Sequence, residues 1–333
     1  MQPLFVRRFV VGMDTILSCT CPMEASMKLG HVVATLGMSL LLSGFADPDL
    51  RPESNDGAPT ASLPASVRPA SNPAYSENSG GSTHVRSMTA EDAVRAASVA
   101  SPYRISEQAA KGTIRYRIEM RDGVPWPWPE TGEQHVEQDG STVVLTVCTT
   151  CGQEAPPTAA ELKNDLEPNH WADNSDPVIR GFASGVRVGN VDRGMRELVG
   201  EVQKRINGPI SFGQYRASRE AYEAQQGDCT EMALLLAAGA KARHIPVRLA
   251  FGMAYASRFL GQKRMFTPHM WVQAWNGSRW TSYDAGLGEF DSTHIALALG
   301  DGRPDGVPQV FAKLRDVRIV SAEGVLPALA EGH

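Results

Sequence analysis

Three residues of this chain could cooperate as a thiol, a base and an orienting carboxylate: Cys229, His269 and Asp284. Cys229 lies in Gly227-Asp228-Cys229-Thr230-Glu231. Asp228 is a good helix N-cap and Glu231, three residues on, completes a capping box, so the spacing predicts a helix that begins at Cys229. At a helix start the unpaired backbone N–H groups and the helix dipole favour a thiolate over a thiol. A lone helical cysteine is otherwise a small buried apolar residue; the helix-start position is what raises the chemical reading. Leu235, Leu236 and Ala240 can bury the rest of that helix, and Pro246 prevents its continuation.

His269 and Asp284 flank a hairpin signal. Residues 269–275 and 279–284 read as strands, with Asn276-Gly277 between them. A two-residue turn would pair Trp275 with Ser278 and carry the register on until His269 faces Asp284, with Cβ atoms about 5 Å apart. A carboxylate there accepts the imidazole N–H, fixes its tautomer and stabilises the imidazolium. Either residue alone would be an ordinary strand histidine or turn aspartate.

The elements that would position these groups are legible from periodicity. Residues 88–99 suit a short helix. Ile114, Tyr116, Ile118 and Met120 alternate with polar residues, and 134–147 reads as a hairpin closing on Asp139-Gly140. After Cys151 the period turns helical. Ser175 suits a cap with Pro177 in the first turn, and a second helix over roughly 192–206 carries Met195, Leu198, Val199, Val202 and Ile206 on one stripe. Short strands follow at 247–251, 269–275, 279–284 and 315–320. Helices followed by an antiparallel sheet make an α+β domain.

These residues resemble the transglutaminase-like superfamily. The resemblance is carried by Gly227-Asp228-Cys229 at a helix start, Ile245-Pro246-Val247-Arg248 after it, His269-Met270-Trp271-Val272, Tyr283-Asp284, and the run from Asp284 to Ile295 that looks like bacterial members. It covers roughly residues 166–302, and a weaker likeness extends to the β-rich segment before it. Met270 stands where alanine is usual, and Ala285 where proline is usual; neither removes a reacting group. The resemblance implies a papain/transglutaminase-like α+β core with Cys229 as nucleophile, His269 as general base and acid, and Asp284 as orienting group. The helix bearing the cysteine would pack on an antiparallel sheet bearing the other two. The reaction implied is attack on an amide or peptide bond through a thioester. Gln225, Gln226 and Tyr215 are candidate oxyanion donors beside the Cys229 N–H. Each is more often a plain surface or packing residue.

Other features bound the reading. The net charge is −5 and Lys/Arg are not clustered, so no nucleic-acid footprint is present. From Met27 to Ala46 the chain has the pattern of a signal peptide: Lys28, an apolar stretch over 32–42, and Gly44-Phe45-Ala46. The stretch is short for a bilayer span, and Met27 competes with Met1 as the start. The expected organisation is a leader and signal over 1–46, a Pro/Ser/Asn-rich linker over 47–86, a short helix and β-rich segment over 87–151, and a catalytic domain over 152–323. The protein is expected to be exported, periplasmic or secreted, with no stable membrane span after cleavage. Cys148 and Cys151 are most simply a structural disulfide in such a compartment, then idle thiols; a redox role lacks a βαβ context. No second Cys/His pair accompanies them for zinc, no acidic cluster has calcium-loop spacing, and no cofactor is expected. Trp126-Pro127-Trp128-Pro129 reads as a rigid loop packed on the core before a substrate wall, and His244 and His294 as solvent-facing or capping. The expected partner is a peptide, protein or cell-envelope amide. The competing reading is a non-catalytic binding or scaffold protein on the same fold.

Overall fold

A computed structural model describes residues 88–325. The leader expected over 1–46 and the linker expected over 47–86 lie outside the described residues. The elements run α1 (Ala90–Ala97), β1 (Val99–Ala100), α2 (Glu107–Ala110), β2 (Ile114–Met120), β3 (Gln134–Asp139), β4 (Thr142–Val147), α3 (Ala159–Asn164), α4 (Pro177–Ser184), α5 (Val191–Arg205), α6 (Ser218–Ala224) and α7 (Cys229–Ala242). The order then continues with β5 (Val247–Phe259), β6 (Gln262–Trp275), β7 (Trp280–Tyr283), β8 (Ile295–Gly300), α8 (Val307–Leu314) and β9 (Val317–Glu323). Helices and antiparallel strands form an α+β fold.

α7 is its centre. The run Ala233–Lys241 is buried on every side of the helix, because α4, α5, α6, β5 and β6 all pack on it. A helix apolar all round is a core helix. The approach is close: a Cβ added at Gly239 would lie 3.2 Å from Leu198 Cδ2 and 3.3 Å from Phe182 Cε1. The helix starts as its sequence dictates. The Asp228 carboxylate accepts the Thr230 N–H (2.8 Å), and the Glu231 carboxylate turns back to accept the Asp228 N–H (2.9 Å). Gly227 makes room for that return, since a Cβ there would fall 2.6 Å from Glu231 Cβ. In α4 the cap is Asp176, not Ser175. Asp176 receives the Val178 and Ile179 N–H groups, while the Ser175 hydroxyl is held by Asp173.

One sheet has the order β1-β6-β5-β8, with β7 also on β6; the other has the order β3-β4-β2-β9. β2 alternates as its pattern requires, with Ile114, Tyr116, Ile118 and Met120 inward. Its second neighbour is β9, near the far end of the described chain. β1, from the same early segment, pairs with β6. The segments before and after residue 151 therefore share both sheets.

β5 and β6 form a hairpin much longer than the two short strands expected from sequence. Gly252 and Pro268 hid the continuation. Pro268 is tolerated because β1 covers only the 265–266 end of that edge of β6 and β7 only the 272–275 end. Among the described residues no strand covers the edge between them, so a missing N–H there costs no ladder bond.

The β6–β7 register differs from the expected one. Trp275 pairs with Trp280 and Val272 with Tyr283, leaving a four-residue loop. The Asn276 side-chain oxygen accepts the Ser278 and Arg279 N–H groups and the Ser278 hydroxyl. That side-chain turn replaces the tight Asn-Gly turn. The resulting slip is two residues, so every side chain stays on its face.

Candidate active site

The slip leaves His269 and Asp284 as diagonal neighbours in place of a directly opposed pair, a spacing within reach of long side chains. His269 Nε2 lies 2.8 Å from Asp284 Oδ2, and both residues are buried. The contact that the sequence suggested is thus made by a different register. With Nε2 committed to the carboxylate, Nδ1 is the nitrogen left for a reacting group. The indole of Trp271 stacks near the His269 ring (6.0 Å between centroids) and is itself held by Ser282 Oγ at 3.1 Å.

Cys229 arrives at the uncovered edge of β6. Pro268 and Met270 are two residues apart and present their nitrogens to the same side, and the Met270 N–H bonds the Cys229 sulfur. Cys229 and His269 line one cavity of about 210 Å³. Gly286 locates the three groups relative to one another. A Cβ there would be 3.2 Å from His269 Cε1, 3.3 Å from Asp284 Oδ1 and 3.3 Å from Cys229 Cβ. One small residue is therefore in near contact with all three side chains.

The electrostatics depart from the expectation at the sulfur. Burial pushes the Cys229 thiol well above its ordinary value, Asp228, Asp284 and Glu231 push the same way, and only the Met270 N–H opposes them. Desolvation favours the neutral thiol at this helix start.

His294 is the residue that sequence reasoning missed. The sequence suggests a solvent-facing or capping residue, yet its side chain is 1% exposed. Its Nε2 lies 3.0 Å from Asp284 Oδ2, the oxygen that also receives His269. Its Nδ1 lies 3.1 Å from Asp291 Oδ1. The two carboxylates outweigh burial and raise His294 to about 9, so it is an imidazolium at neutral pH. Asp284 and Asp291 are both held below the usual carboxylate range by their imidazole partners, against the cost of burial. The cation offsets one of the two negative charges, which leaves the other to stabilise a charged His269. A signal was available in Asp291-Ser292-Thr293-His294: the Asp291 carboxylate accepts the Thr293 N–H and aims the histidine three residues on.

Among the described residues, His269, Asp284 and His294 are also a cluster of donors close enough to face one ion. Their spacing favours hydrogen bonds. Ligands at about 2.0–2.1 Å from a tetrahedral metal lie about 3.3 Å apart, whereas the Asp284 oxygen is 2.8 and 3.0 Å from the two nitrogens.

None of the three oxyanion candidates, Tyr215, Gln225 and Gln226, lines the Cys229 cavity. The Tyr215 hydroxyl donates to the Gly302 carbonyl (3.0 Å), and Gln225 closes α6 in a left-handed conformation. Trp126 donates to the Leu297 carbonyl and Trp128 is buried, and neither lines that cavity. His244 is exposed just after α7. Cys148 and Cys151 are joined as a disulfide.

Residues 190–285 match the family model of the transglutaminase-like superfamily. No curated protein matches the sequence significantly. Among solved structures, the periplasmic domain of TgpA from Pseudomonas aeruginosa is similar at 16% identity and a TM-score of 0.37, covering 64% of this chain and 80% of that one. Red sea bream transglutaminase is similar at 11% identity and a TM-score of 0.29, covering 58% of this chain and 49% of that one.

Proposed function

We propose that this transglutaminase-like core is a thiol enzyme that cleaves or exchanges an amide bond through Cys229, His269 and Asp284. The observation that carries the reading is the 2.8 Å bond from His269 Nε2 to Asp284, with Cys229 against the same Gly286. As the Cys229 sulfur attacks the carbonyl carbon, its proton passes to His269 Nδ1 and a C–S bond forms. The Cys229 backbone N–H at the helix start is the oxyanion donor the reading needs. Collapse breaks the C–N bond, and His269 returns the proton to the departing amine. Water then attacks the thioester, His269 accepts its proton, the C–S bond breaks and the thiol is restored. An amine in place of water gives transamidation.

The substrate is a peptide, protein or cell-envelope amide met outside the cytoplasm, a placement supported by the signal-like run from Met27 to Ala46. Labelling the protein with an iodoacetamide probe and mapping the adduct by mass spectrometry tests the reading. Within residues 88–325 Cys229 is expected to carry the label, and Cys229→Ala to abolish labelling there together with amide turnover. Turnover retained by Cys229→Ala would refute it.

A further inference from the structure

We infer that the acyl part of the substrate carries a bulky, uncharged, apolar side chain that sits in the cavity beside Cys229. This rests on the thiol-enzyme reading and adds the substrate class to it. The cavity wall is drawn from several elements and is largely apolar, with Phe212, Tyr255, Phe259, Leu287, Val310 and Phe311 among its residues. Its ionisable side chains other than Cys229 and Tyr255 are Asp228 and His269. Asp228 spends one carboxylate oxygen on the Thr230 N–H at the start of α7, and His269 is held through Nε2 by Asp284. No Lys or Arg lines the wall, so an acidic substrate side chain would find no counter-charge there, and a basic one would find only the capping carboxylate at the start of α7; either would lose hydration.

Size agrees with this occupant. The volume is about 210 Å³, somewhat above the roughly 150 Å³ of an apolar cavity that takes up benzene. A leucyl or phenylalanyl side chain fits. Ile210 and Leu287, both exposed, extend the apolar surface beyond the cavity. The Tyr255 hydroxyl is the buried side-chain polar atom of this wall without a partner among the described residues. One hydroxyl can meet a peptide carbonyl; a glutamine carboxamide offers one acceptor and two donors, more than that hydroxyl alone can satisfy. Because Cys229 and His269 are in the wall, the occupant must be at, or next to, the carbonyl under attack.

The test is a series of acetyl-dipeptidyl chloromethyl ketones, varying in turn the residue that carries the ketone and the residue before it. Leu, Phe, Gln, Glu, Lys and Gly are compared, with iodoacetamide as the reagent lacking a side chain and the mass of the Cys229 peptide as the readout. At one of the two positions Leu and Phe are expected to modify Cys229 roughly ten- to a hundredfold faster than Gly, Gln, Glu or Lys. Ala256→Trp, which narrows the cavity, should lower the Leu and Phe rates relative to iodoacetamide by about tenfold. If iodoacetamide modifies Cys229 but Gln, Glu or Lys reacts as fast as Leu at both positions, the substrate class is wrong and the thiol reading stands. If no reagent modifies Cys229 in the folded protein while the unfolded chain reacts, both fall.

Discussion

Replacing Asp284 with asparagine separates an orienting carboxylate from one that acts by itself. Asp284 Oδ2 receives two imidazole N–H groups, at 2.8 and 3.0 Å, and Oδ1 receives the Gly286 N–H at 2.7 Å. An asparagine offers one acceptor and one donor in that place. With its oxygen toward the imidazoles, its NH₂ meets the Gly286 N–H. Reversed, its NH₂ meets both histidines and drives the His269 proton onto the nitrogen that should face the sulfur. A hydrogen bond to a charged group contributes about 1.5–3 kcal/mol, which is roughly 10- to 150-fold in rate if lost from the transition state. A wrong tautomer costs about 10⁴. Asp284→Asn should therefore lower kcat/KM by about 10²–10⁴ while far-UV circular dichroism stays native. In a His269→Ala background the same change should cost less than about threefold, since groups acting as a unit are not additive. The chloromethyl ketone reaction or amide turnover supplies the rates. Losses that multiply in the double variant would show that the carboxylate works without the imidazole. A single-variant loss under threefold would remove Asp284 from the mechanism.

Three further outcomes are expected. Because burial raises the Cys229 thiol, its iodoacetamide rate should still be climbing above pH 9; a plateau below pH 8 would mean that the helix start prevails. His294 is raised from 6.5 to about 9 on folding, so its contribution is complete below pH 6.5 and is lost as pH rises through 9. That contribution is on the order of 3 kcal/mol. The difference in Tm between the native protein and His294→Gln should shrink across that window, and a constant difference would refute the buried imidazolium. Gly227→Ala places a Cβ 2.6 Å from Glu231 Cβ and should cost about 1–3 kcal/mol in urea unfolding; an unchanged midpoint would show that the capping-box return is slack.

Local chemistry was legible in the sequence wherever one short segment decides it. The capping box sets Cys229 at the first position of α7 with no help from the rest of the chain. The stripe Met195, Leu198, Val199 and Val202 is buried in α5 as its period requires. Contacts decided by distant segments were not legible. The pairing of β2 with β9 joins residues about 200 positions apart, and nothing in either strand names the other. The hairpin after His269 was placed by an Asn-Gly rule, and the Asn276 side chain overrode it. The error was harmless only because a slip of two preserves the faces. His294 looked dispensable because its worth depends on Asp284, which is brought to it by folding.

The pairing of β2 with β9 also sets a condition on biosynthesis. When β2 and β4 have joined, the other edge of β2 has its permanent neighbour still unmade. At about 5–20 residues per second, the intervening chain takes on the order of 10–40 s to synthesise. Throughout that interval a strand bearing Ile114, Tyr116 and Ile118 on one face offers open N–H and C=O groups to any other extended chain. Exposed strand edges template aggregation. A chain cut short before Val317 would keep that edge open permanently, even with Cys229, His269 and Asp284 all present. Any shortened form made for expression should therefore retain the strand to Glu323, and chaperone demand should peak before it emerges.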